Sequence, residues 1–300
     1  MFKKVTVALI TAIIFFSAGG AARSAAPKRI VSLTPVGTEI LFDLGQGENI
    51  IAVTNFCDYP AEALKKPKIG GYAEFNFEAL LAMNIDLLVI QDIHTQFVPE
   101  LEKLKIPYMV IRQKNLSEIY DSIELLGKAC SAEKQAAARI ASIRKELAEI
   151  AAKTASRPRP RVMVCVSREL SEPQISSFYI AAANNFYSEL IRLAGGTNVS
   201  ENTRVAYPHI STEGLLRLNP EVIIDLVGDK DYYHAKEAVD KDVVFRKEFL
   251  TAQWRNCAAV DAVINDRIAI LEGTLFLRPG PRVAQVVRAF SRAIHPEAWR

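Results

Sequence analysis

Short apolar runs rich in β-branched residues recur along the chain and alternate with stretches of helical period. Ile30 to Leu33, Ile50 to Val53, Leu87 to Ile90 and Tyr108 to Ile111 form one series; Val162 to Val166, Val222 to Leu226 and Ile268 to Leu271 form a second. Runs of this length, bounded by turn residues, read as buried strands. Strand alternating with helix predicts a largely parallel sheet in each series, hence an α/β fold. The first helix is well marked. Thr34 stands at its N-cap, Pro35 fills the first helical position, where no amide donor is needed, and Gly45 follows as a stop.

The two series are separated by an alanine-rich stretch from Ala132 to about Lys153. Ile140, Ile143, Leu147 and Ile150 fall there at helical spacing, with charges on the other faces. Ser156-Arg157-Pro158-Arg159-Pro160 cannot continue a helix and ends it. Four apolar residues are too short a stripe for a coiled coil. A helix of about 22 residues spans roughly 33 Å, the width of a small domain. The expected organisation is an α/β half over residues 27–130, a linking helix over 131–155 and a second α/β half over 156–300.

Ahead of these halves, Lys3 and Lys4 precede an uncharged run from Val5 to Ala18, and small residues fill Gly19 to Ala26. The run is well short of the ~20 apolar residues that span a bilayer, and residues 1–26 read as a secretory signal peptide. No cysteine lies near that junction to carry a lipid, so the exported chain is expected to be free in the periplasm. The net charge of +3 is made of interspersed residues of both signs, which argues against a nucleic-acid partner. Cys57, Cys130, Cys165 and Cys257 are far apart and form no C-x-x-C. An oxidising compartment would permit disulfides, in any of three full pairings; free buried thiols are equally compatible with the spacing.

An internal repeat organises the halves further. EALLAMNIDLLV at 78–89 aligns without gaps to EGLLRLNPEVII at 213–224. Each copy reads as a short helix, an asparagine stop (Asn84 or Asn219) and a buried strand, with Asn76 or Ser211 as an N-cap two residues before the glutamate. Glu78 and Glu213 thus sit in the first turns of their helices. A carboxylate there gains ~0.3 to 1 kcal/mol from the helix dipole. That accounts for either glutamate but not for their symmetric placement, one per half. A pair of acidic sites suits docking onto a two-fold partner with matching arginines, where such charges set encounter and orientation.

The segments RIVSLTPVGTEILFDLG (29–45), VTNFCDYPAEA (53–63), KIGGYAEFNFEALLAMNIDLLVI (68–90) and HISTEGLLRLNPEVII (209–224) together resemble the helical-backbone solute receptors, and most closely their periplasmic cobalamin-binding branch. The resemblance runs through almost the whole chain after residue 26. It implies two Rossmann-like lobes joined by one long helix, with a ligand groove between them. It also implies an ABC importer whose permease dimer and ATPase subunits are the partners, a monomeric receptor, and Glu78 and Glu213 as the permease-docking residues. The ligand implied is a small metal chelate, cobalamin or a related corrinoid, carried as cargo and not as a catalytic cofactor.

An apolar, partly planar ligand needs aromatic walls with a few polar groups at the edge. Phe56 and Tyr59 flank Cys57-Asp58 in the first half, and Tyr72 stands where the cobalamin branch carries an aromatic. In the second half Tyr207 precedes Pro208-His209, and Phe276 and Arg278 lie in the loop that resembles one touching the ligand's side-chain amides. Tyr72 is also where haem-binding relatives place an iron-ligating tyrosine, so haem is the near alternative, although the six-residue step from Tyr72 to Glu78 fits the corrinoid branch better. A ferric siderophore would call on Arg278, Arg204 and Arg168. His209 could coordinate a metal, but a lone loop histidine is more often a surface residue.

Other classes are disfavoured. The chain has no G-x-S-x-G, H-E-x-x-H or Walker-type loop, and Gly45-Gln46-Gly47 lacks the third glycine of a dinucleotide fingerprint, so a secreted α/β enzyme has no motif to stand on. A zinc or manganese receptor would need three or four converging ligands, for which Asp92, His94 and His209 are the available set.

Overall fold

The computed structural model describes residues 26–71, 74–183, 185–228 and 247–300. In chain order, β1 (Ile30–Ser32), α1 (Pro35–Asp43), β2 (Ile50–Val53), α2 (Phe77–Ala82), β3 (Leu87–Gln91), α3 (Val98–Lys103), β4 (Tyr108–Ile111) and α4 (Leu116–Ala129) form the first lobe. Its sheet is parallel throughout, in the order β2-β1-β3-β4, as strands joined by helical crossovers must be. The two central strands, β1 and β3, are buried on both faces, which is why they read as apolar runs.

Helix α5 (Glu133–Thr154) follows and leads into the second lobe. That lobe contains β5 (Arg161–Arg168), β6 (Ser177–Ile180), α6 (Phe186–Leu193), β7 (Thr197–Asn198), β8 (His209–Ser211), α7 (Thr212–Leu218), β9 (Val222–Val227), α8 (Lys247–Arg255), α9 (Asp261–Ile264), β10 (Ile268–Glu272) and α10 (Val283–Ile294). The sheet order is β10-β9-β5-β6-β8, with β7 also pairing with β5. Here the parallel expectation holds only for β5, β7, β9 and β10. β6 and β8 run antiparallel at one edge. They escape a reading by apolar runs because every second residue, Tyr179 in β6 and His209 and Ser211 in β8, is exposed.

The apolar stripe of α5 does more than connect. Ile140, Ile143, Leu147 and Ile150 are buried within a single apolar cluster that runs from Val36 and Ile40 of α1 to Ile191 of α6 and Phe290 of α10. The helix is therefore a spine packed into both lobes, so bending it would open their common core. Its polar face is tied as well: Arg139 Nε donates to Asp43 Oδ2 at 2.7 Å and its other nitrogen to the Pro281 carbonyl at 2.7 Å. All four cysteines are free, with Cys57, Cys130 and Cys165 buried and Cys257 half-buried.

Candidate functional site

Two loops at the carboxyl ends of strands meet between the lobes, the position where open α/β sheets bind their ligands. The first follows β2 and is pinned at Cys57. Its buried sulfur accepts from Thr38 Oγ1 at 3.2 Å and lies 3.2 Å from Thr54 Oγ1, while Lys68 Nζ donates to its carbonyl at 3.1 Å. With Cys57 turned into the core, the neighbours are left outside it. Phe56 is half-buried, and Tyr59 is 43% exposed.

The second loop follows β10. Gly273 at φ +129° is a position only glycine takes comfortably, and from it the chain enters a 3-10 turn over Thr274–Leu277. Tyr187 Oη donates to the Phe276 carbonyl at 2.8 Å and holds that turn against α6. Arg278 then reaches across to the first lobe, where its guanidinium pairs with Asp58; Thr274 Oγ1 donates to the same carboxylate at 3.4 Å.

Beside this pair lies a second one. Arg282 donates to both oxygens of Glu39 on α1 at 2.8 and 2.5 Å, and its guanidinium carbon sits 3.8 Å from the centre of the Tyr59 ring. Glu39 is 4% exposed, and its burial raises its pKa above the ordinary carboxylate range even though Arg282 pulls it down. Gly280 approaches the side chain of Val36 closely enough that a Cβ there would lie 3.3 Å from it. Two acids of one lobe are thus matched by two arginines of the other, with Tyr59 laid against one of them.

Tyr207 is presented from the second lobe by its neighbours' backbone. The Ala206 carbonyl accepts from Asn185 Nδ2 at 2.6 Å and from Ala182 N at 2.9 Å, and the Pro208 carbonyl accepts from Ile180 N at 3.2 Å. Partial burial pushes the Tyr207 phenol up, and Tyr187, almost wholly buried, is pushed up further. The arrangement brings Tyr59, Arg278 and Phe276 into one interlobe region, with Tyr187 buried beneath the Phe276 turn. Tyr72 lies outside the described residues. Asp58, Glu39, Arg282 and Tyr187 belong to this region and were not singled out from the sequence. Of these, Asp58 carries a local signal, because it lies within the segment VTNFCDYPAEA.

Other candidates fall elsewhere. His209 is exposed on β8, its ring centre 4.7 Å from that of Tyr179. His94 is fully buried, its Nδ1 accepting from Gln91 N at 3.2 Å. Among the described residues no group of three or more His, Cys, Asp or Glu could hold a metal ion, so Asp92, His94 and His209 do not converge. Arg168, considered for an anionic chelate, is instead buried against Asp225, with Nε to Oδ2 at 2.9 Å, and bonded to Gln253 at 2.7 Å. Burial raises Cys130 to about 11 and Cys165 well above its usual value, which keeps both thiols protonated and unreactive.

The repeated units match in geometry as well as in sequence. Asn76 caps α2 by accepting from Ala79 N at 2.9 Å, and Ser211 caps α7 by accepting from Gly214 N at 3.3 Å. Asn84 and Asn219 end them in left-handed backbone, at φ 46° and 39°. Glu78 and Glu213 are both exposed. Glu213 pairs with Arg217 one turn on, whereas Glu78 has no cation against it among the described residues.

Comparison with known proteins agrees with this architecture. The vitamin B12-binding protein of Vibrio parahaemolyticus is 28% identical over 87% of this chain and 86% of its own. An uncharacterized ABC transporter substrate-binding lipoprotein of Bacillus subtilis, YvrC, is 27% identical over 91% of this chain and 82% of its own. Among solved structures, the periplasmic vitamin B12-binding protein BtuF of Vibrio cholerae superposes with a TM-score of 0.69 at 24% identity, covering 91% of this chain and 98% of that one. A periplasmic haem-binding protein of Pseudomonas aeruginosa does so with a TM-score of 0.72 at 22% identity, covering 90% and 93%. The profile of the family described as Periplasmic binding protein matches residues 30–274, so the chain belongs to that family, as the solute-binding component of an ABC importer and not as an enzyme.

Proposed function

We propose that the cargo is cobalamin or a related corrinoid, held between the lobes by Phe56, Tyr59, Tyr72, Tyr207, Phe276 and Arg278. The observation that carries the reading is the pairing of Arg278 with Asp58 and of Arg282 with Glu39. An arginine already matched by a carboxylate is a poor receiver for an acidic ligand, because the acid would face Asp58 as well. A primary amide both accepts and donates, so it can bond to Arg278 and Asp58 together. Corrinoids carry such amides around a flat ring, and Tyr59 and Tyr207 supply the aromatic surface for one. The vitamin B12-binding relative, similar over most of the chain, supports the same class.

On this reading residues 1–26 direct export and are removed, the chain works free in the periplasm as a monomer, and Glu78 and Glu213 meet the permease, one from each lobe. Titration of the purified protein with cyanocobalamin, cobinamide and haemin, followed by calorimetry, tests the cargo. Tight corrinoid binding with weak haemin binding is expected; tight haemin binding with no response to either corrinoid would transfer the assignment to haem. Glu78→Ala and Glu213→Ala are expected to leave corrinoid affinity unchanged while slowing uptake into proteoliposomes holding the permease. Loss of cargo binding in either variant would remove them from the docking role.

A further inference from the structure

The docking role above assigns only charge, yet each repeated helix also exposes an apolar side chain in the same place. Leu81 is 44% exposed and Leu216 is 51% exposed, while their sequence neighbours Leu80 and Leu215 are buried at 1% and 0%. Leu81 stands three residues after Glu78 and Leu216 three after Glu213, so each leucine lies on the same helix face as its glutamate, one turn away. Burial of the first leucine of each pair is the ordinary business of a helix packing on its sheet. Exposure of the second is not required by the fold, because a polar residue there would leave the buried contact untouched.

A single exposed leucine needs no explanation. Here, of the nine large apolar residues exposed among those described, these two are the pair that the repeat maps onto one another. We infer that Leu81 and Leu216 form the apolar half of the permease-docking surface. Each lobe presents a glutamate with a leucine beside it, to a partner that offers, twice over, a cationic side chain flanked by apolar ones. The leucine would be covered only in the complex. It shields the neighbouring carboxylate–cation contact from water, which strengthens that contact and slows dissociation.

The inference rests on the docking role proposed for the glutamates, and its test separates the two. Leu81→Gln, Leu216→Gln and the double variant keep helix propensity and approximate size. Binding of each to the cognate permease–ATPase complex in lipid nanodiscs, without added cargo, is compared with binding of Glu78→Ala. Each single leucine variant is expected to weaken binding about fivefold and the double variant by more than tenfold, with dissociation faster and cyanocobalamin affinity and thermal midpoint unchanged. Unchanged binding in the double leucine variant, with Glu78→Ala impaired, would overturn the apolar contact and leave the glutamates in place. Unchanged binding in all of them would overturn both.

Discussion

Glu39 and Arg282 join the two lobes with side chains 4% and 12% exposed, whereas Glu213 and Arg217 make the same kind of pair on one turn of α7 with side chains 73% and 77% exposed. The chemistry is alike and the surroundings are not. Between the lobes, water cannot replace a lost partner, so each charge depends on the other. On α7 water solvates both, the pair is worth little, and the glutamate is free to exchange one arginine for another. Burial thus separates a glutamate that holds the fold together from one available to a second protein.

The largest effect is expected from removing Arg282. Arg282→Met leaves Glu39 buried without its hydrogen-bonded counter-charge, and near neutral pH the expected loss is about 3 to 5 kcal/mol in urea unfolding. The pH dependence has a definite sign. Burial already raises Glu39 above its ordinary pKa, and Arg282 opposes that rise. Without the arginine the folded pKa goes higher still. A carboxyl raised on folding contributes stability below its unfolded pKa and loses it as pH climbs through the folded one. The variant should therefore lose more stability near neutral pH than at mildly acidic pH. Equal losses at both would mean that the stack on Tyr59, and not the bare carboxylate, sets the cost.

Arg278 is the intermediate case, because its partner Asp58 is 34% exposed. Solvent relieves the carboxylate left behind, and Arg278→Ala is expected to cost only about 1 kcal/mol of stability. If Arg278 and Asp58 receive the cargo's amides, the affinity for cyanocobalamin falls about tenfold in calorimetry, a larger effect than the fold itself feels. A variant with normal affinity would leave Arg278 as a clasp between lobes and nothing more.

What could be read from the sequence follows from the range over which each feature is encoded. The caps Asn76 and Ser211, the left-handed Asn84 and Asn219 and the stripe of α5 are local patterns, and the geometry displays each of them. The interlobe pairs are not local. Glu39 lies 243 residues from Arg282 and Asp58 lies 220 from Arg278, and within its own helix Glu39 looks like any surface glutamate. Tyr187 was hidden for a related reason: its partner is a backbone carbonyl, which no residue type announces. Arg168 misled because arginine is read as solvent-facing, while Asp225 in β9, in the middle of an apolar run, was the sign of a buried partner. For the same reason the exposed leucines were invisible as a surface, since both lie in what reads as the core stripe of a helix.

The smallest effect is expected at the one position where the two repeated helices differ in charge. Residue 217 is arginine and its counterpart, residue 82, is alanine. An exposed pair of this spacing is worth about 0.3 to 0.5 kcal/mol, so Arg217→Ala should change unfolding stability by less than about 0.5 kcal/mol. If Glu213 docks on the permease as proposed, it must leave Arg217 before it meets a cation there. Removing Arg217 spares that step, and binding to the permease in nanodiscs should tighten about twofold at low salt, the gain shrinking as salt screens both pairs. The reciprocal change, Ala82→Arg, places a cation one turn from Glu78 and should weaken binding by a similar factor. Weaker binding by Arg217→Ala would instead make Arg217 a contact with the permease in its own right, and the C-terminal lobe would then dock through a charge pair and not through a glutamate alone.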